Sequence, residues 1–107
     1  GELYDVVAFQ EWAGSKYLVV DVRKTDSIGK HLVPGAIPVY LEKLGPLYPG
    51  LADHDKSIPV LVIADEDPEA LRAAQMLTIA GYRAGGLKGG IYSWITAGFP
   101  TKIKLEQ

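Results

Sequence analysis

A buried strand that runs through a turn into a helix is the feature that most constrains this chain. Val60 to Ala64 is a continuous apolar run, long enough for a strand covered on both faces and too short for a helix. Three acidic residues end the run, and the next helix is predicted to start with Asp67 as its cap and Pro68 at its first helical position, and to end at Gly81. In open α/β sheets, ligands bind at such turns because free helix N–H groups point into the crevice.

Other segments of the chain have the patterns of strands and helices in alternation. Strands are predicted in Tyr17 to Val22, in the apolar end of His31 to Val39, and in Tyr82 to Leu87, which two glycines weaken. Helices are predicted from the cap at Asp5 to Gly14 and from Ile91 to Ala97, and Ala8, Phe9 and Trp12 are expected to share the packing face of the first. Alternation through short connections predicts a mostly parallel sheet with helices on both faces.

Length and composition exclude several classes of function. The 107 residues predict one domain spanning 1–107, and 48% hydrophobic with 22% charged residues is ordinary for a globular protein. The net charge of −2, the scattered basic residues and the short apolar runs predict no nucleic-acid and no membrane partner. The absence of cysteine excludes disulfides, thiolate metal sites and cysteine nucleophiles. We expect a soluble, cytoplasmic domain, with the periplasm as the alternative.

Polar residues follow two of the predicted central strands. Asp21 and Arg23 end one strand, and Asp65 and Glu66 follow the other. Because the carboxyl ends of parallel strands meet at one edge of a sheet, we expect these residues to lie close together. We interpret Asp21 and Arg23 as an ion pair that braces the loops, and His31 as a hydrogen-bonding partner that fixes a nearby loop.

Three segments of the chain resemble the signatures of the rhodanese-like domain family. They are LVVDVR at Leu18 to Arg23, HLVPGAI at His31 to Ile37, and GYRAGGLKGGIYSWITAGFP at Gly81 to Pro100. The second differs slightly, since two residues instead of one separate its histidine from its proline. The resemblance implies a three-layer α/β/α sandwich with a mostly parallel five-stranded sheet. It also implies the fold of sulfurtransferases that carry sulfur on a cysteine.

The chain departs from this family at the catalytic loop. Active members place a cysteine at the end of the central strand, followed by a loop rich in Arg, Gly and Ser. Aligning the family helix on Arg72 to Ala74 puts Ala64 at the cysteine position, and Asp65 and Glu69 at positions usually held by arginine. The sequence therefore predicts a degenerate loop without a catalytic residue. This segment, called the acidic loop below, is formed by Ala64, Asp65, Glu66, Asp67, Pro68 and Glu69.

We interpret the chain as a binding, regulatory or structural module with no cofactor and no resident metal, whose partner is a protein or an adjacent domain. The candidate binding residues are Asp21, Arg23, His31, Asp65, Glu66, Asp67 and Glu69. A second candidate partner surface is the Pro/Gly-interrupted segment that contains Tyr40, Leu47 and Tyr48.

Two alternative functions stay open at this point. The chain could be a sulfurtransferase that works within an assembly or is represented here by a cysteine-less variant. The carboxylates of the acidic loop could instead bind a divalent cation, since Mg²⁺ and Ca²⁺ prefer oxygen ligands, although their spacing is not that of a calcium loop. No Ser, His and Asp set points to a hydrolase. We interpret Leu51 to Ser57 as a polar connector in which His54 lies in a solvated turn.

Overall fold

The computed structural model describes residues 2–24, 31–39, 51 and 54–103. Its strands are β1 (Glu2–Tyr4), β2 (Leu18–Asp21), β3 (His31–Leu32), β4 (Ile37–Pro38), β5 (Val60–Ile63), β6 (Ala84–Leu87) and β7 (Lys102–Ile103). Its helices are α1 (Val6–Ala13), α2 (Asp67–Ile79) and α3 (Gly90–Thr96). Within these residues, no helix is long and apolar enough to cross a membrane.

Five of the strands form one parallel sheet. Their order is β1-β6-β5-β2-β4, with β5 in the centre, and the register pairs Val20 with Val62 and Val62 with Gly86. β3 and β7 form a separate antiparallel pair. The predicted mostly parallel, five-stranded sheet of an α/β domain is confirmed.

The alternation of side chains along β5 divides the core into two layers. Val60 and Val62 pack on one face of the sheet in a cluster with Ala70, Ala74 and Leu77 of α2. On the other face, the remaining two β5 side chains belong to a second cluster with α1 and α3; this cluster contains Leu61, Ile63, Val6, Phe9 and Trp94. All four β5 residues are at most 1% exposed. The continuous apolar run therefore has the buried, two-faced environment that the sequence predicted.

Two glycines bring neighbouring elements close to β6. A Cβ on Gly85 would lie 2.6 Å from the ring of Tyr4, and a Cβ on Gly86 would lie 2.9 Å from the carbonyl oxygen of Ala70. A side chain at Gly85 would thus displace the Tyr4 ring, and one at Gly86 would push α2 away from the sheet. From the sequence, these glycines were expected to weaken the strand. In the fold, they allow Tyr4 and α2 to pack closely against β6.

Several details differ from the sequence prediction. β1, β3 and β7 were not predicted, because two or three residues carry no recognisable periodicity. Trp12 shares a helix face with buried Phe9 but is 39% exposed, since it lies at the sheet edge and stacks on Tyr4. The helix-capping prediction for α1 is confirmed: the Asp5 carboxylate accepts a hydrogen bond from the Ala8 amide at 2.7 Å.

A buried ion pair joins the end of β2 to β3. Arg23 Nη2 lies 2.8 Å from Asp21 Oδ2, and both residues are 3% exposed. The same Nη2 donates to the carbonyl oxygen of His31 at 2.6 Å, while Arg23 Nε contacts both carboxylate oxygens at 3.0 and 3.1 Å. This geometry confirms the ion pair predicted from the sequence and ties β3 to the sheet.

We expect Arg23→Ala to lower the free energy of unfolding by about 3–5 kcal/mol, because it leaves the Asp21 carboxylate buried without its partner. Arg23→Lys keeps the charge but loses the planar fork, so its loss should be smaller. Urea unfolding of both variants tests this. A loss of less than about 1 kcal/mol for Arg23→Ala, the range of a surface pair, would contradict the role given to the buried pair.

Candidate functional site

The carboxyl ends of β2 and β5 meet at one edge of the sheet, as the sequence predicted. The Val22 amide donates to the Ile63 carbonyl at 2.8 Å, and the Val39 amide donates to the Asp21 carbonyl at 2.9 Å. These bonds continue the strand pairing beyond the last strand residues. They bring the residues after Ile63 beside those after Asp21.

Ala64 directly follows β5 and is the buried first residue of the acidic loop. It is 2% exposed and packs within the cluster on the α2 face. Its carbonyl oxygen lies so close to α3 that a Cβ on Gly90 would approach it to 3.0 Å. The residue that directly follows β5 is thus a small apolar side chain that belongs to the core.

Two aspartates of the acidic loop hold the neighbouring loops. Asp65 Oδ2 accepts a hydrogen bond from the Lys24 amide at 2.9 Å, which joins the loop to the chain after β2. Asp67 Oδ1 accepts one from the Gly89 amide at 2.8 Å, which joins it to the turn before α3. Gly89 and Gly90 have φ of +83° and +61°, so this turn uses a backbone conformation that other residues rarely adopt. Both carboxylates therefore bond backbone N–H groups at the edge of the sheet.

The capping role predicted for Asp67 is wrong. Asp67 is the first residue of α2, and the cap position is held by Glu66, whose side chain makes no capping hydrogen bond. The Glu66 carbonyl instead accepts from the Glu69 and Ala70 amides, both at 3.1 Å. The Asp67 side chain is bonded to Gly89, and Pro68 occupies the second helical position. A tertiary donor has replaced the local helix amides as the partner of this carboxylate.

Among the described residues, the negative charge of the acidic loop has no basic partner. Asp65 and Glu66 are exposed, and Asp67 and Glu69 are half-buried. Within the described residues, none of the four carboxylates forms an ion pair, the one salt bridge there being that of Asp21. This loop offers no nucleophile, and its charges would repel an anionic sulfur donor.

The described residues contain no group of three or more His, Cys, Asp or Glu side chains that could hold a metal ion. In the acidic loop, the two aspartates are directed to different backbone amides, those of Lys24 and Gly89. The hypothesis of a divalent-cation site at this loop therefore gains no support from the geometry.

Arg23 and His31 lie near the loop but have structural contacts. The guanidinium of Arg23 is occupied by Asp21 and by the His31 carbonyl. The hydrogen bond predicted for His31 thus involves its backbone, while its buried Nδ1 has no partner among the described residues. Asp21, Leu32 and Lys102 are among the residues that line a cavity of about 170 Å³.

Two other sequence interpretations concern the approach to β5. His54 lies in a turn, where its amide donates to the Leu51 carbonyl at 2.9 Å. The hydroxyl and the amide of Ser57 donate to the Asp55 carboxylate, and these hydrogen bonds lower the pKa of Asp55. This agrees with the prediction of a connecting turn. The candidate partner segment with Tyr40, Leu47 and Tyr48 lies outside the described residues.

Sequence reasoning missed the two backbone donors of the site. Neither the Lys24 nor the Gly89 amide has a side-chain signature, and they lie 41 and 22 residues from their aspartates. The only signal was positional: each donor follows a predicted strand of the sheet, on either side of β5. Residues at such positions meet at the edge of a parallel sheet.

Solved structures share this fold and are described as rhodanese-like. The Rhodanese_3 like domain from an Anabaena sp. protein is 25% identical, with a TM-score of 0.72 over 85% of this chain and 96% of that chain. A rhodanese-like domain protein from Staphylococcus aureus is 15% identical, with a TM-score of 0.66 over 98% of this chain and 96% of that chain. No curated protein sequence matches.

A family model gives the more direct comparison. The model of the rhodanese-like domain matches residues 5–97, which include β2, the acidic loop and the glycine-rich turn before α3. This chain therefore belongs to the rhodanese-like domain family.

Proposed function

We propose that this rhodanese-like domain is a non-catalytic module that binds a protein partner or an adjacent domain. The observation that carries the proposal is the state of the loop after β5. A buried alanine stands where the family resemblance places the cysteine, and Asp65 and Asp67 hold the loops on either side. The elements that would form a sulfur-carrying site serve the stability of the sheet edge instead.

The chemistry of sulfur transfer supports this reading. A persulfide carrier needs a thiolate, and the thiolate needs a positive surrounding or free N–H groups to stabilise it. In this domain the Lys24 and Gly89 amides already donate to carboxylates. The alternative of a sulfurtransferase within an assembly is favoured by no contact in the loop.

The unpaired carboxylates support a basic partner. Asp65 and Glu66 are exposed at the edge of the sheet, and no basic side chain of the described residues neutralises them. Exposed charges of this kind increase the rate at which a positively charged partner associates with the domain, and they orient that partner. The cation-binding alternative has no converging set of ligands to support it.

We expect no transfer of sulfur from thiosulfate to cyanide above a control without protein, because the chain has no cysteine to carry the sulfur. Thiocyanate formation is the measurement, at neutral pH and at high protein concentration. Turnover that scales with protein concentration and survives repurification would contradict the proposed function.

We expect Ala64→Cys alone to give a poorly reactive thiol. Burial and the neighbouring carboxylates both raise the pKa of a thiol, so alkylation by iodoacetamide at pH 7 should be about tenfold slower than for a free thiol. Adding Asp65→Asn and Glu69→Gln should speed alkylation, since the amides remove charge while nearly preserving size. Equal rates for the single and the triple variant would show that the loop charges do not act on position 64.

A further inference from the structure

A groove separates α1 from α3 on the face of the sheet opposite α2. Its volume is about 630 Å³, and its walls include Val7 of α1 and Tyr92 of α3. These two large side chains are 58% and 78% exposed. The groove is distinct from the acidic loop, none of whose residues line it.

The topology explains why this groove exists. α1 follows β1 and α3 follows β6, two adjacent parallel strands, so both helices start at the carboxyl edge of the sheet. Val6 and Trp94 point into the core beneath the helices. Val7 with Glu11, and Tyr92 with Thr96, are spaced four residues apart and therefore form rows along the two helices.

The charged residues of the groove are both acidic. Asp5 and Glu11 line it, and no Lys, Arg or His does so among the described residues. The Asp5 carboxylate accepts from the Ala8 amide yet remains exposed, and Glu11 is exposed as well. An apolar channel with carboxylates thus requires an occupant that provides both apolar surface and positive charge.

A second copy of this chain does not meet that requirement. In a symmetric dimer the same surface patch faces itself, so the acidic residues of one groove would approach those of the other. Like charges placed together at an interface oppose association. The charge of the groove therefore favours a different chain over self-association.

We propose that this groove binds a partner segment in which a large aliphatic or aromatic side chain is flanked by lysine or arginine. The apolar side chain contacts Val7 and Tyr92, and the flanking cations approach Asp5 and Glu11. Apolar anchors laid into a groove between helices are a common mode of peptide recognition, and the groove volume lies within the roughly 300–1,000 Å³ of known ligand sites. The proposal rests on the binding role proposed above and names the class of partner.

The test uses the ¹⁵N-labelled domain and two synthetic peptides of equal length, one of alternating leucine and lysine blocks and one with glutamate in place of lysine. We expect the lysine peptide to shift the amide resonances of Val7, Glu11 and Tyr92, and the glutamate peptide to leave them unchanged. The affinity for the lysine peptide should fall as salt rises, because exposed charges are screened.

Matched variants separate this groove from general effects of charge and hydrophobicity. Val7→Ser should weaken binding of the lysine peptide about fivefold, whereas Ile79→Ser, which removes an 87% exposed apolar side chain from α2 on the other face, should not change it. Glu11→Gln should weaken it about threefold. Gln75→Lys on α2 changes the net charge by the same amount and should have less effect.

Three results would overturn the proposal. The first is a set of shifts confined to the acidic loop. The second is equal weakening by the α1 and the α2 variants. The third is a dependence of the amide resonances of the groove residues on protein concentration in the absence of peptide. This dependence would indicate that a second copy of the chain occupies the groove. None of these results bears on sulfur transfer, so failure of the groove proposal is distinguishable from failure of the non-catalytic assignment.

Discussion

Burial of β5 on both faces is the constraint on which the rest of this structure depends. A strand whose four residues are at most 1% exposed needs helices above and below it and paired strands on both sides. α2 covers one face, α1 and α3 cover the other, and β2 and β6 complete the pairing. The end of β5 then lies between two loops, so the residues after Ile63 are surrounded by backbone N–H groups.

The central part of the fold was predictable because its residues carry strong patterns. The apolar runs that became β2 and β5 are longer than any turn segment and too short for helices, and Asp5 and Gly14 bound α1 as expected. β1, β3 and β7 were not predictable, since each forms by pairing with a distant strand. Trp12 shows the limit of periodicity: a helix position predicts which face a side chain shares, but not whether the sheet extends far enough to cover it.

The candidate site also has features that the sequence could predict and features that it could not. The burial of Ala64 and the pairing of Asp21 with Arg23 could be predicted, because both depend on short segments with a recognisable position in the sheet. The bonds of Asp65 and Asp67 could not, since their donors are backbone amides from other loops. From the sequence, capping of α2 was the natural prediction for the Asp67 carboxylate. In the fold, this carboxylate accepts a hydrogen bond from the Gly89 amide instead.

The aspartates that join three loops also have a consequence for the evolution of this domain. Replacing Asp65 by arginine would remove the hydrogen bond to Lys24 as well as invert a charge. A cysteine acquired first would meet carboxylates, and an arginine acquired first would loosen the sheet edge before any activity could be selected. The order of substitutions therefore matters. Epistasis of this kind would make any gain of sulfur chemistry by this domain depend on coordinated substitutions.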